Sequence, residues 1–338
     1  MIPHSRPWLT DADKNAVQIV LNSNMIAKGI SVKKTEEAIS EYFGEGIVKL
    51  TSSGRHAIIL ALSILDVKSG DEVIIPSYVC ESVAASVRAI GAIPVLADCG
   101  NNWVLSIESI EKLINENTKA IIAVNIFGIA CDLSLMEQFG IPVIEDCAQS
   151  FGNRKFYSGS GKNISIYSFN ATKCLTGGEG GAILVRDSDL KLKVDKHFKK
   201  LMLSSISDIQ ASLVLSQLGR YEQFLERRKY IAERYFSGIN KNLLKIISRV
   251  KLNSIYFRFP LTVNKPIDKL IKGFSERNIS VRHGVDSLLH RKSNLVDSKF
   301  ENAVDRFNKT LSIPILPDLS EFEIEHIINV VNELCGEN

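Results

Sequence analysis

Three short segments of the sequence combine residue types that could do chemistry. Thr51-Ser-Ser-Gly-Arg-His56 sets hydroxyls and a glycine where an apolar run ends and a helical pattern begins. Ser53, Gly54 and Arg55 could there cradle a phosphate at a helix N-terminus, or simply cap that helix. Val143-Ile-Glu-Asp-Cys-Ala-Gln149 places Asp146 directly beyond a second apolar run. Its carboxylate could pair with a cationic ligand nitrogen, hold a metal, or cap the next helix. Ser165-Ile-Tyr-Ser-Phe-Asn-Ala-Thr-Lys173 ends on a lysine shortly before the glycine-dense Gly177-Gly-Glu-Gly-Gly181. A solvated surface lysine is the plain alternative there. Taken singly, each segment has an ordinary structural explanation. Together they supply a phosphate cradle, an acid and, 27 residues beyond the acid, a lysine. These are the parts pyridoxal 5'-phosphate needs: the lysine forms the Schiff base, and the acid keeps the pyridine nitrogen protonated.

Other chemistries fail on their own residues. Ser160-Gly-Lys-Asn163 has the outline of a P-loop, but Phe156 stands where its first glycine belongs and Asn163 where Ser or Thr is needed. No GxGxxG follows the first strand, and the six histidines include no HExxH or close pair. Nicotinamide, flavin and metal sites therefore lack support. Against 38 Asp+Glu, 41 Lys+Arg leave a net charge of +3. The densest basic run, Lys191 to Lys200, alternates with apolar residues as a solvated helix face does, so no nucleic-acid partner is expected. The longest largely apolar stretch, Ala57 to Leu65, is nine residues, where a membrane-spanning helix needs about 20. The start carries no signal-peptide pattern. Six cysteines without CxxC or zinc-like spacing read as free thiols in a reducing compartment, which implies a cytoplasmic protein.

The elements that must position these residues read as an α/β chain. Its 338 residues suit about two domains. Thr10-Asp-Ala-Asp13 resembles a capping box before one helix, and a second helix over about Val32–Phe43 should stop at Gly44. Apolar runs at 47–50, 72–75, 93–97, 120–124 and 142–144 each end in small or polar residues. Continuous rather than alternating hydrophobicity predicts strands buried on both faces, in a mostly parallel sheet. One long amphipathic helix is predicted over about Asp208–Phe236. Beyond it, Ile255–Val263 alternates as a half-buried strand should, a short strand is predicted at Ile279–Val281, and helices follow near Ile267–Arg277 and Ser320–Cys335. These divide the chain into a large domain, 1–230, and a small α+β domain, 231–338.

On these residues the sequence resembles the DegT/DnrJ/EryC1/StrS aminotransferases. Gly70-Asp-Glu-Val-Ile-Ile-Pro-Ser-Tyr78 is similar to the family's GDEVI-P segment, and Val143–Gln149 to its VIEDxAQ/H. Ser168-Phe-Asn-Ala-Thr-Lys173 is similar to its SFxxxK, Gly178-Glu-Gly-Gly181 to GEGG, and Leu311–Pro317 to LSLPxxP. The resemblance implies a fold type I transferase: a mostly parallel seven-stranded sheet sandwiched by helices, with a smaller C-terminal α+β domain. It implies that Lys173 is the Schiff-base lysine and proton shuttle, and that Asp146 pairs with the pyridinium nitrogen. Gln149 would lie against the ring or near its phenolic oxygen. Ser168 would meet the phosphate with Ser53, Gly54 and the Arg55 amide, and Asn170 belongs to the same cofactor-binding motif. L-glutamate is the implied donor, a nucleotide-linked 4-keto or 3-keto sugar the implied acceptor, and a homodimer with shared active sites the implied assembly.

The sequence departs from the family's pattern at several positions. Cys80 stands where an aromatic ring usually stacks on the cofactor. Leu203 stands where the neighbouring subunit usually sends an asparagine, with Ser204 and Ser205 beside it. Val285–His290 keeps the family's histidine, His290, without its tyrosine. Arg282 and His283 could bind a substrate carboxylate or phosphate, or face solvent. Two rivals follow: a keto-cyclitol or other non-nucleotide carbonyl acceptor, and a non-catalytic partner subunit with the same fold.

Overall fold

The continuous apolar runs of the first half become strands. Those from 72–75, 120–124 and 142–144 are buried on both faces, whereas those from 47–50 and 93–97 lie at the sheet's edges and stay partly exposed. The computed structural model describes residues 1–44, 46–152 and 164–336. The P-loop-like Ser160–Asn163 and Phe156 lie outside them. Seven strands form one sheet: β1 (Ile47–Thr51), β2 (Glu72–Pro76), β3 (Ile93–Ala97), β4 (Thr118–Val124), β5 (Val143–Asp146), β6 (Ile164–Ser168) and β7 (Gly181–Val185). Their order is β1-β7-β6-β5-β4-β2-β3. Strand β7 alone is antiparallel, to β1 on one side and β6 on the other. Because β7 reverses, the carboxyl ends of β1, β2, β4, β5 and β6 share one edge of the sheet with the amino end of β7. Ligands in such sheets bind along that edge.

Side chains alternate across the sheet and fill a core on each face. Val48, Leu50, Ala182 and Leu184 pack with Val32 and Ile39, whereas Ile183 and Val185 join the larger core opposite. The first helices are α1 (Asp11–Asn22) and α2 (Ile30–Phe43). Gly44 ends α2 in the left-handed region at φ +92°. Asp208 holds its other end, accepting the N–H groups of Gly29, Ser31 and Val32 at 2.8, 3.0 and 3.0 Å. Helices α3 (Gly54–Ile64) and α4 (Glu81–Ala89) follow β1 and β2 directly, so both begin at the ligand edge.

Three predicted elements come out differently, each through a contact distant in sequence. The helix predicted over 208–236 is two, Asp208–Leu218 and Tyr221–Gly238. At the break Arg220 leaves helical geometry and donates Nη1 to the buried Asp13 Oδ1 at 2.9 Å. The strand predicted over 255–263 is β8 (Phe259–Thr262) alone. The carbonyls of Tyr256 and Phe257 instead accept Nη1 of the buried Arg228, each at 3.0 Å. Ile279–Val281 makes only a bridge to Ile2, and β9 is Arg282–His283. With β10 (Thr310–Ile313), these form an antiparallel sheet ordered β8-β10-β9. The last helix, Glu321–Cys335, has its capping box: Glu323 N–H meets Ser320 Oγ at 3.3 Å, and Ser320 N–H meets Glu323 Oε2 at 2.8 Å. Among the described residues no helix is long and apolar enough to cross a membrane.

The first residues strap this second sheet. Ile2 bonds the Asn278 carbonyl at 2.7 Å and accepts Ser280 N–H at 2.9 Å. His4 Nε2 meets Ser312 Oγ at 2.9 Å, and Arg6 Nε meets Asp318 at 2.8 Å. Burial, reinforced by the charges of Arg258 and Arg282, holds the His4 pKa down to about 3. An unfolded histidine titrates near 6.5. Between these values the unfolded chain therefore binds a proton that the folded chain refuses, so stability falls as pH drops through the window. In denaturant melts at pH 6, 5 and 4, His4→Gln is expected to remove about 1.4 kcal/mol per pH unit from the slope of stability against pH.

Candidate active site

Strand β1 passes into α3 through Ser52 and Ser53. Ser53 caps the helix, its Oγ accepting His56 N–H at 3.3 Å. The N–H groups of Gly54 and Arg55 lie at the helix start, where no intrahelical carbonyl can reach them. Thr51 pairs in register with Gly181. A Cβ on Gly181 would lie 2.5 Å from the Ser53 carbonyl carbon and 2.6 Å from Gly54 N, so only glycine lets β7 approach the helix start this closely. Ser168 ends β6 beside the same helix start. The result is a cradle of backbone donors and hydroxyls, which suits a phosphate.

The lysine loop folds tightly after β6. Lys173 N–H bonds the Asn170 carbonyl at 2.9 Å. The Asn170 side chain staples that loop, donating to Glu179 at 2.9 Å and accepting from Thr172 Oγ1 at 3.0 Å. Asn170 lines the cavity, with its hydrogen bonds made inside the loop. Lys173 reaches the cavity floor, where its Nζ stands 5.6 Å from the Phe257 ring centre. Desolvation pulls its pKa below the ordinary lysine range; Asp146 opposes that shift and Arg258 adds to it. Asp146 ends β5 almost wholly buried, with Oδ1 accepting Ala148 N–H at 2.9 Å. Desolvation raises its pKa, against that hydrogen bond and the charge of Lys173. Gln149 Oε1 accepts the N–H of Phe127 at 2.8 Å. It thereby steadies a residue held in the left-handed region at φ 59°.

These residues border a cavity of about 500 Å³. Cys80, at the cap of α4, lies on its wall and is exposed, accepting Ser82 Oγ at 3.3 Å. The small sheet closes the far side with Arg258 and Arg282. Gly284 permits that closure, since a Cβ there would collide with the Tyr78 hydroxyl. Ser53, Gly54, Arg55, Cys80, Asp146, Gln149, Ser168, Asn170, Lys173 and Arg282 are thus brought to one cavity.

Two expected residues are not. His283 alternates with Arg282 along β9 and turns away, stacking on Phe307 and meeting Asp268 at 3.1 Å. His290 is fully buried between Ser77 Oγ at 2.6 Å and Asp297 at 2.9 Å, its ring stacked on Phe300. In place of a substrate contact, it ties the end of β2 to the segment that carries the cavity wall. Sequence reasoning missed Arg258. Its only signal was a charge between two buried aromatic residues, Phe257 and Phe259.

The arrangement fits pyridoxal phosphate on its own chemistry. A desolvated carboxylate invites a cationic ring nitrogen, the α3 start invites a phosphate, and a desolvated lysine supplies a reactive amine. The comparisons agree. The family model described as the DegT/DnrJ/EryC1/StrS aminotransferase family matches residues 7–332. GDP-perosamine synthase of Escherichia coli O157:H7 is 28% identical, over 99% of both chains. The aminotransferase TlmJ from Streptoalloteichus hindustanus is 25% identical, with a TM-score of 0.82 over 98% of both chains. Spr1654 from Streptococcus pneumoniae in its PMP-form reaches a TM-score of 0.88 at 23% identity, over 99% of this chain and 97% of that one.

The Gly181 contact gives a direct test. Gly181→Ala is expected to push the α3 start out of place and weaken pyridoxal phosphate binding at least about tenfold, roughly the loss of one charge-assisted hydrogen bond. Absorbance titration measures the loss, and an unchanged far-ultraviolet circular dichroism spectrum shows that the sheet survives.

Proposed function

The chain belongs to the DegT/DnrJ/EryC1/StrS aminotransferase family and is a pyridoxal-phosphate-dependent aminotransferase, and we propose that it moves an amino group from L-glutamate to a nucleotide-linked 4-keto or 3-keto sugar. The observation that carries this reading is the meeting of Lys173, Asp146 and the α3 start around one cavity. When bound, pyridoxal phosphate supplies an electrophilic carbonyl carbon and an electron-withdrawing ring. Ser53, Ser168 and the N–H groups of Gly54 and Arg55 hold its phosphate. Asp146 pairs with the ring nitrogen and keeps it protonated; a cation opposite that carboxylate offsets the desolvation that otherwise raises its pKa. Gln149 would lie against the ring or near its phenolic oxygen. Lys173 has its pKa lowered, so more of its amine is neutral near pH 7 than in a surface lysine. Its Nζ receives the proton leaving the donor's α-carbon and returns one to the acceptor's former carbonyl carbon.

The nucleotide-linked acceptor is supported by the relative named GDP-perosamine synthase, matched over nearly its whole length. A second reading, a keto-cyclitol acceptor, is favoured by Cys80, a small side chain on the cavity wall where the family usually sets a ring. A homodimer in a reducing cytoplasm completes the proposal. Met25 at 74% exposure and Met202 at 89% stand on loops, and Ile30 at 68% begins α2. Asp208 joins those loops through Ala27 and Gly29. Ser204 accepts Ser52 N–H at 2.8 Å beside the cradle, so a partner covering these apolar residues would border the site.

Loaded with pyridoxal phosphate, the purified protein is expected to show a visible absorption band that L-glutamate bleaches. Lys173→Ala should show no bleaching and no transfer to UDP-, dTDP- or GDP-linked keto sugars or to keto-inositols. Transfer to keto-inositols alone would replace the acceptor. Intact biological function in Lys173→Ala would replace the enzyme with a regulatory subunit. For the assembly, Met202→Glu is expected to halve the mass measured by light scattering and to lower turnover. An unchanged mass would remove the dimer face from this loop.

A further inference from the structure

The cavity holds a cation that the chemistry above leaves without a role. Arg258 is mostly buried, its Nε–H has no partner, and among the described residues no carboxylate forms an ion pair with it. Its guanidinium stands 5.5 Å from the Phe257 ring centre, the ring that Lys173 Nζ approaches to 5.6 Å. Arg258 thus flanks the reacting amine. The register of the small sheet brings a second cation to the same side. Ser312 pairs with Pro260 on one side and with Arg282 on the other. Paired residues share a face, so Pro260, Ser312 and Arg282 lie on one side of the sheet, and Arg258 directly precedes β8. Both arginines border the cavity. Arg282 is exposed at the rim, whereas Arg258 lies deeper.

Two guanidinium groups facing one cavity repel, and the inner one has been taken largely out of water with no ion-paired carboxylate among the described residues. Such an arrangement is costly unless a ligand completes it. Other charges do not complete it. Glu81 is engaged by Arg88 and Lys292. Asp286 lines the cavity and its charge favours the Arg258 cation from a distance, but it makes no ion pair with either arginine among the described residues. His4, behind the same face at Ser312, is held uncharged by burial. The planar forks of arginine match carboxylates.

We propose that Arg258 and Arg282 form a two-point site that selects a dicarboxylic amino acid as the amino donor. Arg258 takes the carboxylate on the reacting carbon, and Arg282 takes the side-chain carboxylate. The depths decide the assignment, because the α-carboxylate must sit beside the carbon that Lys173 deprotonates while the side chain extends outward. The proposal rests on the aminotransferase reading and adds the residues that recognise its donor.

Glutarate, a five-carbon diacid without an amino group, tests the site separately from the reaction. Calorimetry on the protein loaded with pyridoxal phosphate should show glutarate binding, weakened at least about tenfold in Arg258→Met and in Arg282→Met. In the half-reaction, Arg258→Met should slow bleaching by L-glutamate and L-alanine alike. Arg282→Met should raise the L-glutamate concentration required and leave L-alanine unchanged, erasing the preference between them. Arg258→Lys, which keeps the charge without the fork, should recover part of the loss. An intact visible band in each variant shows that the fold stands, and Arg282 is exposed enough that its variant should fold. Glutarate affinity within about twofold of wild type in both variants would overturn the proposal, as would an absence of glutarate binding to the wild type. Loss of GDP binding with retained glutarate binding would assign the pair to an acceptor's phosphates instead. If glutarate binds through the arginines but L-glutamate never bleaches the band, the transfer reading fails and the diacid site stands.

Discussion

Between Gly181 of β7 and the Ser53–Gly54 peptide there is no room for one additional carbon atom, and much of the site's geometry descends from that contact. A reversed strand inserted between β1 and β6 would ordinarily push its neighbours' loops apart. Here β7 instead begins flush against the start of α3. The helix donors, the end of β6 and the lysine loop then converge within a few residues of one another. Moving β7 by the width of a methyl group would separate the phosphate cradle from the amine it serves.

What converges there is a set of ionisable groups kept out of water with incomplete partners. Burial pushes Asp146 up and Lys173 down, so each weakens its charged form. Arg258 carries its charge with no ion-paired carboxylate among the described residues. Proteins rarely retain such groups in a finished core, because an unpaired buried charge costs several kcal/mol. The structure tolerates them because the surrounding framework is heavily cross-braced. The buried Arg228 takes the carbonyls of Tyr256, Phe257 and Ile315, and His290 bridges Ser77 and Asp297. The stability held in the braces permits the imbalance in the cavity.

Five of the seven strands were legible because a strand buried on both faces has no polar phase to obscure it, as in Ile121–Val124 or Val143–Ile144; β6 and β7 were not read as strands. The cradle and the acid were legible for a different reason: each follows such a strand, and the edge of a parallel sheet gathers whatever follows its strands. The lysine follows β6, which no continuous apolar run announced, and was read from its place before the glycine-dense turn. What escaped depends on pairs distant in sequence. Asp13 reads as a local capping residue, and Thr10 N–H does bond it at 2.7 Å, yet its other oxygen receives Arg220 and helps break a helix that periodicity joins. Arg258 was hidden because its neighbours Phe257 and Phe259 mark a strand, and no local pattern reveals which end of a side chain lacks a partner. His283 and His290 carried the right residue type. Only the register of β9 and the position of Asp297 show that neither ring faces the cavity.

The strap formed by Ile2, His4 and Arg6 gives the chain an unusual order of assembly. His4 and Ser312 are 308 positions apart, and Arg6 and Asp318 are 312 apart. During synthesis residues 2–6 must wait, with their backbone and side-chain partners unmade, until residues 278–318 have emerged. The large sheet can close on local and intermediate contacts, but the small sheet gains this strap only when residues 2–6 fold back onto it. Contacts of such long range are late and slow to form. The arginine-bearing wall of the cavity, which this strap backs, is therefore completed later than the sheet that carries Lys173 and Asp146.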